Sequence, residues 1–93
     1  MKYAVVDLST GRVTAVSGPA VIKLLRVNTS PNAAVTVNDG DSVVLRIASG
    51  KSVEEIEDYR DGIEFTTNVV VNSPEGTSGE LMIGYSELTG RLR

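Results

Sequence analysis

Apolar side chains recur at every second position through most of this chain, and clusters of Gly, Pro, Asn, Asp and Ser interrupt that alternation about every eight to twelve residues. Such a pattern leaves little room for helix and dictates many short strands with one buried face each. The stretch from Asp61 to Tyr85 states it most fully: Ile63 and Phe65 alternate with Glu64 and Thr66, then Val69-Val70-Val71 forms a β-branched run. After the loop Ser73-Pro74-Glu75-Gly76-Thr77-Ser78-Gly79, Leu81 to Tyr85 supplies a returning strand. Phe65 is the only Phe in the chain. Because an aromatic ring buries more area than any aliphatic neighbour, Phe65 is the expected centre of the core.

Earlier in the chain, Tyr3 to Leu8 and Val13 to Val16 alternate on either side of Ser9-Thr10-Gly11-Arg12, which reads as a β-hairpin. Ser17-Gly18-Pro19 breaks the pattern, since proline has no N–H to give a ladder. Ala20 to Thr29 is the longest strand candidate. Leu25 and Val27 share a face there, and Ile22 joins them only if a bulge near Lys23-Leu24 re-aims the chain; otherwise both faces are partly covered. Next, Ala33, Val35 and Val37 lead to Asn38-Asp39-Gly40-Asp41, and Val43, Leu45 and Ile47 follow. An Asp-Gly pair between two alternating runs is among the strongest hairpin signals a sequence offers. Ser52 to Tyr59 fits either a short helix with a Ser52/Glu55 capping box or an acidic edge strand, and the extended reading is preferred because an isolated two-turn helix gains little.

These elements add up to an all-β chain: an antiparallel β-sandwich, jelly-roll-like or Ig-like, of seven to eight short strands with an N-terminal β-hairpin extension. The expected division is a hairpin arm over residues 1–17, the sandwich over 18–86 and a flexible tail over 87–93. At 93 residues the chain makes one domain with a modest core, so association with copies of itself or with another surface is an expected source of stability.

Composition narrows the chemistry. The chain contains no Cys and no His, which removes disulfides, thiolate metal sites and the commonest general base. A net charge of −3, with Lys and Arg scattered except for Arg91 and Arg93 at the end, argues against nucleic acid or an anionic membrane as partner. The chain reads as made in a cytoplasm, because Asp7 interrupts the apolar run that a signal peptide would continue.

The carboxylates admit three readings. Asn38-Asp39-Gly40-Asp41 lacks the later ligands of a calcium loop and is read as a turn. A glycosidase-like pair drawn from Glu54, Glu55, Glu57, Asp58, Asp61 and Glu64 would call for aromatic platforms that three Tyr and one Phe scarcely supply. The same group could bridge subunits through a divalent cation, but a solvated acidic edge accounts for it. Gly76 and Gly79 lie in a loop without the Gly-Lys-Ser/Thr of a phosphate cradle. No catalytic constellation emerges, so a non-enzymatic role without cofactor or metal is expected.

Several spans together resemble small β-sandwich virion proteins of tailed bacteriophages, among them capsid decoration (cement) proteins: Ser17-Gly18-Pro19-Ala20, Arg26-Val27-Asn28-Thr29, Ala34-Val35-Thr36-Val37-Asn38-Asp39-Gly40, Asp61-Gly62-Ile63-Glu64-Phe65-Thr66-Thr67-Asn68 with Val69 and Val71, and Gly84-Tyr85. Val69 departs from the pattern, standing where a Gly commonly follows the turn Asn. The resemblance implies a role on the virion surface, binding the major capsid protein and stabilising the head shell as a homotrimer. The expected interface is the N-terminal pair of strands, through Tyr3, Val5, Val6, Leu8, Val13 and Val16, with Arg91 and Arg93 gripping an acidic neighbour. The alternative is a receptor- or carbohydrate-binding module of a tail fibre or tail tip.

Overall fold

The computed structural model describes residues 2–50 and 56–87, the side chains of 56–61 excepted. Among the described residues eight strands form: β1 (Lys2–Asp7), β2 (Val13–Val16), β3 (Ala20–Thr29), β4 (Val35–Asp39), β5 (Ser42–Ile47), β6 (Ile56–Phe65), β7 (Val69–Asn72) and β8 (Glu80–Glu87). They build two four-stranded antiparallel sheets, ordered β1-β8-β3-β6 and β2-β7-β4-β5.

The pairing follows one rule. β4 pairs with β5, β3 with β6, β2 with β7 and β1 with β8, so the chain is one long hairpin whose tip is the β4–β5 turn. Rolling that ribbon until β3 meets β8 and β4 meets β7 closes the two sheets face to face. This is the jelly-roll arrangement, one of the ways in which an antiparallel chain buries both inner faces. The Asp-Gly signal thus marks the point about which the whole chain folds. Gly40 takes φ +61° there, a left-handed conformation that a glycine adopts at no steric cost.

The N-terminal strands depart from expectation. β1 and β2 do not pair with each other as a hairpin arm; they are the edge strands of different sheets. A short helical turn, Leu8–Thr10, carries the chain across, with Leu8 fully buried. The reason is apolar area: Val6, Leu8 and Val16 find the inter-sheet core with Phe65, Ile22, Leu25, Val27, Val37, Leu81 and Ile83, which an isolated hairpin could not provide. At the other end β8 runs on to Glu87, two positions beyond the expected stop at Tyr85.

β3 begins and ends where the sequence places it, and its register against β8 shifts between Ile22 and Leu24. Lys23 is therefore the extra residue of a bulge, and Ala20, Ile22, Leu25 and Val27 all turn inward. Among the described residues Phe65 is the largest fully buried side chain. A second bulge opposite Asn38 leaves both Val43 and Val44 exposed, so β5 does not bury the regular row that its alternation implied. Residues from Ile56 onward are extended, as preferred, while 52–55 lie outside the described residues.

Candidate interaction surface

Both ends of the sandwich are tied by side-chain hydrogen bonds. At one end the Asp39 carboxylate accepts from the backbone N–H of Thr66 (2.9 Å) and Thr67 (2.8 Å) and from the Thr66 hydroxyl (3.0 Å), while the Gly40 N–H donates to Asn68 Oδ1 at 2.8 Å. The Thr-Thr-Asn turn thus clamps the β4–β5 tip. The Thr66 and Thr67 N–H groups hold the Asp39 carboxyl below its ordinary pKa, because they stabilise only the ionised form. That carboxylate serves the turn.

At the opposite end the Ser73 hydroxyl lies 2.7 Å from the Leu8 carbonyl and 3.0 Å from that of Gly11, sharing its proton between them. The Ser78 N–H donates to Asn32 Oδ1 at 2.9 Å. The loop from Ser73 to Gly79 is therefore held against the sandwich by its buried Ser73 and Thr77, while Pro74, Glu75, Gly76 and Ser78 are exposed at the surface. Among the described residues no group of acidic side chains is placed to hold a metal ion, and no pocket opens between the sheets. Of the acidic positions considered, Glu64 is exposed, Glu54 and Glu55 lie outside the described residues, and the side chains of Glu57, Asp58 and Asp61 do as well.

The expected interface residues separate into two groups. Val6, Leu8 and Val16 are core, so none of these three is free to meet a partner, and Val13 is half-buried against them. Tyr3 and Val5 are 56% and 62% exposed on the outward side of β1. Arg91 and Arg93 lie outside the described residues. Register lines up Val5, Met82 and Arg26 across one row of the outer face and Tyr3, Gly84 and Leu24 across the next. Met82 and Leu24 are half-buried, so the row continues the apolar character of Tyr3 and Val5 toward the sheet centre. Lys2 closes the strand with an ion pair to Glu87 at 3.0 Å, whose hydrogen bond and charge raise the Lys2 pKa.

A smaller apolar patch faces out from the other sheet, where Val43 and Val44 stand beside Asn38 and the buried Val70. The Asn38 Oδ1 atom is buried there without a hydrogen-bond partner. Sequence alternation separates inward from outward residues on β1, but not edge from centre; that distinction depends on which strand pairs with which. Comparison with protein-family models, with curated proteins and with solved structures finds no match.

Proposed function

We propose that this chain is a structural virion protein that decorates the head shell of a tailed phage, binding the major capsid protein as an oligomer. The observation that carries the reading is Tyr3 and Val5, a large apolar pair standing exposed on an edge strand. Exposed apolar groups on an edge mark a surface that meets other protein. The jelly roll supports the reading at the level of architecture, since shell proteins of viruses use it, and the resemblance over Ser17 to Tyr85 points to the same class. A small sandwich repeated at many equivalent sites gains avidity from contacts that are individually weak.

Jelly rolls also bind sugars, and this is the second reading, with Tyr3 as its exposed aromatic platform. One experiment separates the two. Under the decoration reading the gene beside this one encodes a major capsid protein, and the purified chain co-sediments with shells assembled from that protein while giving no hit on a glycan array. Shells that sediment bare, or a specific glycan hit, end it.

A further inference from the structure

The two sheets present four edges, and three of them are irregular. β2 has four residues and a register shift between Thr14 and Val16. β5 carries the bulge opposite Asn38, and β6 jumps register against β3 between Ile22 and Leu24. Bulges and short lengths are how natural sheets keep their edges from pairing with other chains. β1 has neither device: six residues pair with β8 in unbroken register from Lys2↔Tyr85 to Asp7↔Glu80. It contains no proline, and its charges stand only at the two ends, Lys2 and Asp7.

We infer that the outer edge of β1, unpaired among the described residues, is a self-association site, at which β1 of a second copy adds antiparallel about a twofold axis through Ala4. Strand geometry restricts the partner register to one parity. The Leu8 N–H donates to the Gly79 carbonyl at 3.0 Å, continuing the β1–β8 ladder by one position. In an antiparallel pair the bonding residues alternate, so Val6, Ala4 and Lys2 also direct their backbone groups at β8. Tyr3 and Val5 direct theirs at the open edge. A partner strand must therefore set odd-numbered positions opposite odd-numbered ones. Side-chain direction imposes the same parity, since opposite residues in a sheet point to the same face and Tyr3 and Val5 are the outward pair.

Among registers of that parity, the one centred on Ala4 uses the strand best. Tyr3 of each copy then lies opposite Val5 of the other, an aromatic–β-branched pair of the kind that stabilises sheets. Ala4, the smallest side chain of the strand, meets its own copy at the axis, where the non-hydrogen-bonded Cα atoms approach to about 4.5 Å. The alternative centred on Val5 would draw in Asp7, whose carbonyl already accepts from the Thr10 hydroxyl at 2.9 Å as the chain turns away. The antiparallel sense also keeps like charges apart, whereas parallel strands in register would set Lys2 beside Lys2 and Asp7 beside Asp7. The closed product is a dimer with a continuous eight-stranded outer sheet, two copies of the four-stranded one, in place of the trimer that the resemblance implies.

The test uses the whole chain and stands apart from the decoration reading, because it needs no capsid. Sedimentation velocity is expected to give twice the chain mass for the native sequence and one chain mass for Val5→Pro. That proline removes an N–H aimed at the partner and leaves the β1–β8 ladder intact, and edge strands accept proline. Because the chain has no cysteine, Ala4→Cys supplies a second and separate readout. Its two sulfurs fall within disulfide reach across the axis, so mild oxidation should yield a covalent dimer, while Val43→Cys on β5 should not. A native chain that sediments as one or three copies, or an Ala4→Cys chain that crosslinks no faster than Val43→Cys, overturns the proposal.

Discussion

At Gly62 the backbone sits at φ +82°, and a Cβ built there would overlap Val21 Cγ1. Alanine therefore meets two penalties, a left-handed backbone and a steric conflict with the strand alongside. Gly11 has a similar φ of +85° but nothing within 4 Å of its would-be Cβ, so only the first penalty applies. Urea unfolding should show Gly62→Ala destabilised by about 2–4 kcal/mol and Gly11→Ala by about 1–2 kcal/mol. Equal losses at the two sites would mean that β6 gives way around Gly62 at little cost. Asp39 tests the clamp at the sandwich tip. Its pKa is lowered in the fold, so the native state binds fewer protons than the unfolded chain as the pH drops below the ordinary Asp value of about 3.9. The stabilisation is complete above that value and is lost as pH falls through the folded-state pKa. Asp39→Asn should lower the melting temperature at neutral pH and flatten its fall at acid pH. Some slope persists, because the Ser9 N–H lowers the Asp7 pKa in the same direction. An unchanged acid limb in thermal melts would remove Asp39 from this role.

Single elements were largely legible because a strand's period is a local property. The bounds of β3, the burial of Phe65 and the Asp-Gly turn all follow from alternation and turn chemistry within about ten residues. The bulge at Lys23 was legible only as one of two alternatives, since alternation left open whether Ile22 joins Leu25 or lies on a second, partly covered face, and the register against β8 decides for the bulge. What alternation could not give is pairing. The run Ser9-Thr10-Gly11-Arg12 looks like a hairpin loop, yet it carries the chain from one sheet to the other, because the choice is made by distant residues that bury Val6 and Leu8. The bulge on β5 was hidden too, as an extra valine in a run of valines leaves the pattern undisturbed. Lys23 provides the element-scale prediction. Lys23→Ala should cost no more than about 0.5 kcal/mol, since the side chain is not part of the core. Deleting Lys23 removes the bulge and turns either Ala20 and Ile22 or Leu25 and Val27 toward solvent, so the cooperative unfolding transition should disappear. A deletion variant that melts as the native chain does would show that β3 absorbs the missing residue elsewhere.

For the molecule as a whole, nested pairing makes the two ends of the chain mutually dependent. β1 lies against β8 and β2 against β7, so the first sixteen or so residues cannot be a detachable arm, and removing them strips one edge from each sheet. It also takes three core side chains, Val6, Leu8 and Val16. At about 1.5–3 kcal/mol for each buried aliphatic side chain, their loss amounts to roughly 5–9 kcal/mol. That is comparable with the 5–15 kcal/mol or so by which an entire domain is stable. A chain beginning at Ser17 should therefore show no cooperative melt by circular dichroism. The pair Tyr3→Ser and Val5→Thr should fold normally, because both side chains face outward, and should lose self-association without loss of the fold. The contrast matters for any binding experiment: truncation would abolish binding through unfolding, whatever the first strands touch, while the outward substitutions report on the edge itself. A truncated chain that melts cooperatively would show that six strands suffice, and would restore the N-terminal strands to the status of an appendage.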